Sequence, residues 1–121
     1  MSGLYKLFGI PSSLYTAKVR SYLRKQAIPF VETGPWDPQY QQEVLPQIGR
    51  MIMPVLVSAD GTVMQDGADI LRHCDDAGLS RHPLMPESPM LCSIACLFEL
   101  FGGEGLLRPA MHYRWNFDEI N

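Results

Sequence analysis

Two short β-rich runs, residues 4–8 and 30–32, flank a stretch with helical apolar spacing, and this order restricts the chain more than any other feature. Gly9-Ile10-Pro11 stops the first run, which is apolar, aromatic-rich and reads as a buried strand. Ser12 and Ser13 offer N-cap hydroxyls to the helix that follows. Along it Tyr15, Val19, Tyr22 and Leu23 recur at helical spacing, while Lys18, Arg20, Arg24 and Lys25 fall mostly elsewhere. Ile28-Pro29 breaks the pattern before the second run. Strand, helix, strand implies a parallel pair joined by a right-handed crossover.

The next segment, residues 34–42, is turn-rich, and residues 40–45 suggest a short helix. Residues 55–58 and 62–64 are β-rich runs flanking Ala59-Asp60-Gly61, and Asp-Gly between such runs signals an antiparallel hairpin. Asp66 opens a helix carrying Ile70, Leu71 and Cys74, with Gly78 placed to end it. A proline-rich stretch, residues 81–89, reads as a linker. Ser88 and Pro89 suit the N-cap and first position of a further helix, whose apolar side is Leu91, Ile94, Leu97, Phe98 and Phe101. Residues 102–105 are expected to interrupt it, and residues 106–115 to begin another helix. The order is βαβ, a short helix, then ββα, with one or two helices after it.

The chain has 121 residues, room for one domain and an appendage, and 46% hydrophobic content, enough for a packed core. A net charge of −3 without a clustered basic face argues against nucleic acid as the partner. No uninterrupted apolar run reaches the roughly 18 residues of a membrane helix, and Met1-Ser2-Gly3-Leu4-Tyr5-Lys6 lacks the features of a signal peptide. No membrane association and a cytoplasmic location are therefore expected. Cys74, Cys92 and Cys96 are odd in number and irregularly spaced, which suggests no disulfide framework. Cys92 and Cys96 read as small apolar core residues. His73, His82 and His112 are scattered, so no metal site is expected.

Three local signals carry chemistry. The loop 11–20 places Ser13 at a helix N-terminus, where unpaired N–H groups and partial positive charge favour an anion; a plain N-cap is the competing reading. Met53-Pro54-Val55 puts proline at the head of a strand pattern, an edge or bulge device or a cis peptide; by base rate alone the trans bond is favoured. Gln65-Asp66-Gly67-Ala68-Asp69 starts a helix, where an acid caps the end or receives a ligand ammonium. Capping is favoured for Asp69, and for Asp66 the two readings stand even.

Taken in order, the Ser-containing loop before Lys18-Val19-Arg20, then Met53-Pro54-Val55-Leu56, then Gln65-Asp66-Gly67-Ala68-Asp69-Ile70-Leu71 resemble the N-terminal domain of glutathione transferases. The similarity covers residues 4–77, and residues 83–117 resemble the linker and first helical segments of that family's second domain. The resemblance implies an α/β, thioredoxin-like domain over residues 1–80. Residues 81–121 would be the linker and truncated start of an all-helical domain. Glutathione would be the co-substrate, an electrophilic small molecule its partner in reaction, and a homodimer the assembly. By position Ser13 matches the catalytic Ser or Cys. Pro54 matches the cis-proline, so Met53 would offer its backbone to the cysteinyl part of glutathione. Asp66 matches the residue that contacts the γ-glutamyl amine. The next position, usually Ser or Thr, is Gly67, which keeps only its N–H for the γ-glutamyl carboxylate. Before Met53, only Arg50 is available for the glycyl carboxylate, from a shifted position. The tyrosine of other classes would fall at Phe8, which excludes a tyrosine-type enzyme.

The chemistry implied is generation of a thiolate that attacks an electrophile, with Ser13 as hydrogen-bond donor. A glutaredoxin-like oxidoreductase would need a cysteine at this helix start, and the loop has none. A non-catalytic binding or assembly module of the same family is the main alternative, favoured by Gly67.

Overall fold

The computed structural model describes residues 4–116, which form two compact units, one ending at Leu84 and one beginning at Met85. Met1, Ser2, Gly3 and Phe117, used in the sequence reading, lie outside the described residues. In the first unit four strands form a single sheet in the order β2-β1-β3-β4. These are β1 (Tyr5–Phe8), β2 (Phe30–Thr33), β3 (Val55–Val57) and β4 (Val63–Gln65). β1 and β2 are parallel, pairing from Tyr5 with Phe30 to Phe8 with Thr33. β3 runs antiparallel to both β1 and β4. The helices are α1 (Leu14–Lys25), a π-helical turn (Tyr40–Val44) running into α2 (Leu45–Ile48), and α3 (Gly67–Asp76). This is the βαβ and ββα arrangement expected of a thioredoxin-like domain.

Strand alternation sorts the core into two layers. Leu7 and Leu56 point to one face, where they cluster with Val19, Leu23 and Ile70 from α1 and α3. Phe8, Val55 and Val57 point to the other, against Tyr40 and Val44. The rings of Phe8 and Tyr40 lie 5.3 Å apart, tilted by 50°. On α1 the buried positions are Thr16, Val19, Tyr22 and Leu23. Tyr15, expected on that face, is instead half exposed at 49%, and Thr16 takes the inward place. A threonine reads as polar in a sequence pattern, yet its methyl group packs like that of valine.

Helix ends follow local chemistry. Gly49 and Gly78 take positive φ at the ends of α2 and α3, and Leu79 N–H donates back to the Cys74 carbonyl. The segment after α3 is tied to the domain. The Gln26 side chain, 3% exposed, donates to the His82 carbonyl and accepts from the His82 N–H, at 2.8 and 2.9 Å. Tyr22 bonds Ser80, and Asp75 accepts from the Leu84 N–H. Part of the stretch read as a linker is thus fixed to the first unit.

The second unit contains α4 (Pro89–Leu100) and α5 (Leu107–Trp115). The expected interruption at residues 102–105 does not occur, because a π-helical turn (Phe101–Gly105) joins the two helices. Leu106 N–H donates to the Phe101 carbonyl, and the Phe101 ring covers Gly105, where a Cβ would come within 2.9 Å. Of the glycines in this turn only Gly105 serves close approach, since nothing lies within 4 Å of a Cβ at Gly102 or Gly103. The continuous helix Pro89–Trp115 has 27 residues and a mean hydropathy of 1.6 in its most apolar window. By length and composition alone it could cross a membrane, although Glu99 and Glu104 break the apolar run in the sequence. Met90, Leu97, Phe98 and Phe101 are exposed. Cys96 is exposed and Cys92 half-buried, its thiol donating to the Pro86 carbonyl, so neither is the core residue expected. Cys74 is buried, and burial pushes its thiol up to about 11.

Between β2 and the π-helical turn, Asp37 organises a sharp bend. Its N–H donates to the Gly34 carbonyl, its Oδ1 accepts from the Gln39 N–H at 2.9 Å, and its Oδ2 meets Lys6 Nζ at 2.9 Å. The hydrogen bond from Lys6 holds the Asp37 carboxyl below the usual carboxylate range. A depressed folded-state pKa stabilises above the ordinary aspartate value near 3.9, and the gain is lost as pH falls through the depressed value. Asp37→Asn should therefore cost about 1 kcal/mol at neutral pH. In urea unfolding the difference from wild type should shrink toward zero in strong acid.

Candidate functional site

Strand register brings three sequence-distant segments to one end of the sheet. Phe8, the last residue of β1, pairs with Val55, the first of β3, and Val55 pairs with Gln65, the last of β4. The loop leading to Ser13, the Met53–Pro54 peptide and Asp66 all leave from this row. Neighbouring strands lie about 4.8 Å apart, so the three segments emerge within about 10 Å across the sheet.

Ser13 is the N-cap of α1. Its backbone is extended, its Oγ accepts from the Thr16 N–H at 3.2 Å, and its N–H donates to the Ile10 carbonyl at 3.0 Å. Ser12 is not the cap. The capping bond uses a lone pair of Ser13 Oγ and leaves the hydroxyl proton to donate elsewhere, so the capping and anion-binding readings coexist. The first turn of α1 carries no acidic residue, while Arg24 and Lys25 lie in its last turn. Its N-terminal partial positive charge is therefore not neutralised locally. Gly9 holds the loop against this helix: a Cβ there would fall 2.2–2.7 Å from the Thr16 side chain. Thr16 Oγ1 is buried and has no hydrogen-bond partner among the described residues.

The Met53–Pro54 bond is cis, the conformation implied by the family resemblance. Pro54 is buried, Met53 is half-buried, and Arg50 is exposed on the segment between α2 and this bond.

Asp66 caps α3, with Oδ1 accepting from the N–H groups of Ala68 and Asp69 at 2.8 and 3.3 Å. Asp69, favoured as a cap from sequence, instead pairs with Arg72 at 3.3 Å. Asp66 has φ of 71°, a region costly to a residue with a Cβ, and such strain clusters at functional sites. Two carboxylates, Asp66 and Asp69, thus sit at the start of α3. Gly67 lies against α1: a Cβ there would meet Lys18 and Val19 at ordinary contact distances of 3.6 and 3.8 Å. The structure thus brings Ser13, Met53, Pro54, Asp66 and Gly67 to one sheet end, an uncompensated helix N-terminus beside an acidic one. For Arg50 it gives exposure and chain position only.

Sequence reasoning missed Tyr40. Fully buried, its hydroxyl donates to the Ile52 carbonyl at 2.9 Å and accepts from the Ile52 N–H at 3.2 Å. It fastens the backbone immediately before Met53–Pro54. Both partners lie 12 residues away, and no local pattern announces them.

A four-stranded mixed sheet with α1 and α3 on one face, a cis-proline heading β3 and a capped helix after β1 defines a thioredoxin-like domain. Residues 7–78 match the N-terminal domain of glutathione S-transferases, and the chain belongs to that family. Among solved structures it is similar to a glutathione S-transferase from Methylobacterium radiotolerans in complex with glutathione sulfonate. Identity is 25%, coverage 80% of this chain and 45% of that one, and the TM-score 0.64. One from Methylobacillus flagellatus with glutathione bound is 23% identical over 82% and 48%, with a TM-score of 0.63. One from Rhodospirillum rubrum is 19% identical over 87% and 47%, with a TM-score of 0.71. The chain spans about half the length of these structures. No curated protein matches it in sequence.

Tyr40→Phe removes both bonds to Ile52 while keeping the ring. It should destabilise the domain by about 1–3 kcal/mol and speed amide exchange at residues 52 and 53 more than in the sheet. Urea unfolding and hydrogen exchange by NMR check this.

Proposed function

We propose that this chain binds glutathione at the shared end of β1, β3 and β4 and activates its thiol for attack on an electrophilic substrate. The observation that carries the reading is the pairing of two helix starts of opposite character. The α1 start offers the Ser13 hydroxyl and an unneutralised positive end, and the α3 start offers Asp66 and Asp69. Glutathione is itself bipolar, with a thiolate to be stabilised and a γ-glutamyl ammonium to be received. The relatives from Methylobacterium radiotolerans and Methylobacillus flagellatus hold glutathione sulfonate and glutathione.

In this reading the Ser13 hydroxyl donates to the sulfur. A free thiol has a pKa near 8.5. A hydrogen bond to a charged group is worth about 1.5–3 kcal/mol, which lowers the thiol pKa by about one to two pH units. The helix end adds about 0.3–1 kcal/mol. Together these make the thiol largely ionised at neutral pH. The Met53 backbone pairs with the cysteinyl part, Asp66 receives the γ-glutamyl amine, the Gly67 N–H meets the γ-glutamyl carboxylate, and Arg50 serves the glycyl carboxylate.

Gly67 favours a second reading, a module that binds glutathione without turning it over, because no side-chain hydroxyl supports the carboxylate there. Turnover of a generic electrophile, measured beside glutathione affinity, separates the two. The apolar surface of Pro89–Trp115 we assign to a second copy of the chain, since glutathione transferases are generally dimers. Sedimentation across a range of concentrations should show self-association; a monomer throughout that binds neutral lipid vesicles would overturn it.

Ser13→Ala should raise the pKa of the bound thiol by about one to two pH units, read from thiolate ultraviolet absorbance against pH; the same result from Ser12→Ala alone would shift the assignment by one residue. Gly67→Ser fits the available space and restores a hydroxyl, and it should tighten glutathione binding about threefold to tenfold by calorimetry.

A further inference from the structure

Cys92 and Cys96 lie one turn apart on α4. Residues four apart on a helix share a face, with Cβ atoms about 5–6 Å apart. With roughly 3.6 residues per turn, the pair falls about 180° around the helix from the middle of the apolar side formed by Leu91, Ile94, Leu97, Phe98 and Phe101. Self-association through that side therefore leaves both thiols accessible. Cys96 is exposed and Cys92 half-buried.

Geometry and ligand number restrict what such a pair can hold. A disulfide needs Cβ atoms about 3.5–4.5 Å apart, so the two sulfurs cannot join directly while the helix keeps its shape. A structural zinc site needs about four ligands. Glu99 continues the same face, yet no three His, Cys, Asp or Glu side chains form a metal-holding group among the described residues. A soft, thiophilic centre satisfied by two sulfurs meets both conditions. One such atom replaces a single S–S bond of about 2.05 Å by two longer bonds, which spans the gap a disulfide leaves open.

The sulfurs are also free to move. The Cys92 thiol donates to the Pro86 carbonyl at 3.0 Å, an exposed bond that water can replace when the side chain rotates. Helical side chains lean toward the N-terminus, which inclines Cys96 toward Cys92. Cys74 is the contrast: it lies in the core of the first unit, where burial pushes its thiol up to about 11.

We propose that Cys92 and Cys96 form a dithiol site that captures a trivalent arsenical. With an arsenoxide two S–As bonds form, both thiol protons leave with the oxide oxygen as one water molecule, and arsenic and sulfur keep their oxidation states. The assignment does not depend on the glutathione reading, because none of the residues placed around glutathione takes part.

The probe is phenylarsine oxide, added to the reduced full chain. Native mass spectrometry should show one adduct per chain, heavier by the reagent less one water. Alkylation with iodoacetamide and peptide mapping should find Cys92 and Cys96 both protected. Cys92→Ser and Cys96→Ser should each weaken binding about a hundredfold, the advantage of making the second bond within one molecule. Cys96→Ser combined with Leu97→Cys keeps two thiols but turns one off the face, and it should bind as weakly as either single variant. All three positions lie outside the two core clusters, and circular dichroism reports whether each variant still folds. Excess glutathione, a monothiol, should leave the arsenic in place, whereas dithiothreitol should remove it. Two adducts per chain, protection of one cysteine alone, an arsenic bridging two chains, tight binding by the Leu97→Cys combination, or removal by glutathione would each overturn the proposal.

Discussion

The pairing of β1 with β3 is the interaction on which the rest of the domain depends. Each strand is three or four residues long, yet their register assigns every neighbouring core residue to a layer. With Phe8 opposite Val55, Leu7 and Leu56 face α1 and α3, and Phe8, Val55 and Val57 face Tyr40. A slip of one residue would turn each strand's buried set to the opposite face, pairing Phe8 with the small space left for Leu7. It would also separate the three segments that leave the end of the sheet. The same few hydrogen bonds therefore set both the core and the site, and Tyr40 carries the constraint onward by holding Ile52 just ahead of the cis peptide.

Helix starts at that end are used twice. A capped N-terminus is first a structural need, since four N–H groups of each helix lack partners within it. Ser13 and Asp66 meet part of that need, each by accepting through one oxygen. Acceptance leaves Ser13 a proton to give, and Asp66 keeps its negative charge. What differs is the surrounding charge: α1 begins without an acid, whereas α3 begins with two. The proposed fit to a bipolar ligand rests on this contrast more than on any single side chain. The positive φ of Asp66 agrees with it, since a residue that only capped the helix would not require such a backbone.

Much of this was legible in the sequence because it is local. The βαβ order, the Asp60-Gly61 hairpin, Ser13 at a helix start and Gly78 past a helix end each depend on residues a few positions apart. The resemblance supplied the cis bond at Pro54, which local base rates alone oppose. What escaped was set by distant partners or by fine geometry. Tyr40 finds Ile52 across a turn-rich segment, and the Trp36 ring lies against Gly34, where a Cβ would collide with it. The glycines at 102–105 read as a break because propensity penalises them, but the π-helical turn uses Gly105 to admit the Phe101 ring. Capping was the favoured reading for Asp69 and an even one for Asp66, yet the backbone makes Asp66 the cap and leaves Asp69 to pair with Arg72.

The placement of sulfur bears on which chemistry the proposed site can perform. Thiol–disulfide exchange needs a protein thiolate at the start of α1, where the helix end would stabilise it. That position holds Ser13, a donor that can stabilise a thiolate but cannot form a disulfide. The one cysteine described in the first unit, Cys74, lies in the core between α3 and the sheet, where burial pushes its thiol up to about 11 and leaves it protonated. Cys92 and Cys96 belong to the second unit, in α4. A reactive sulfur at this site would therefore have to arrive with the ligand. That requirement fits activation of a bound tripeptide thiol for attack on an electrophile, and it leaves the domain no means of exchanging electrons through a cysteine of its own at the α1 start.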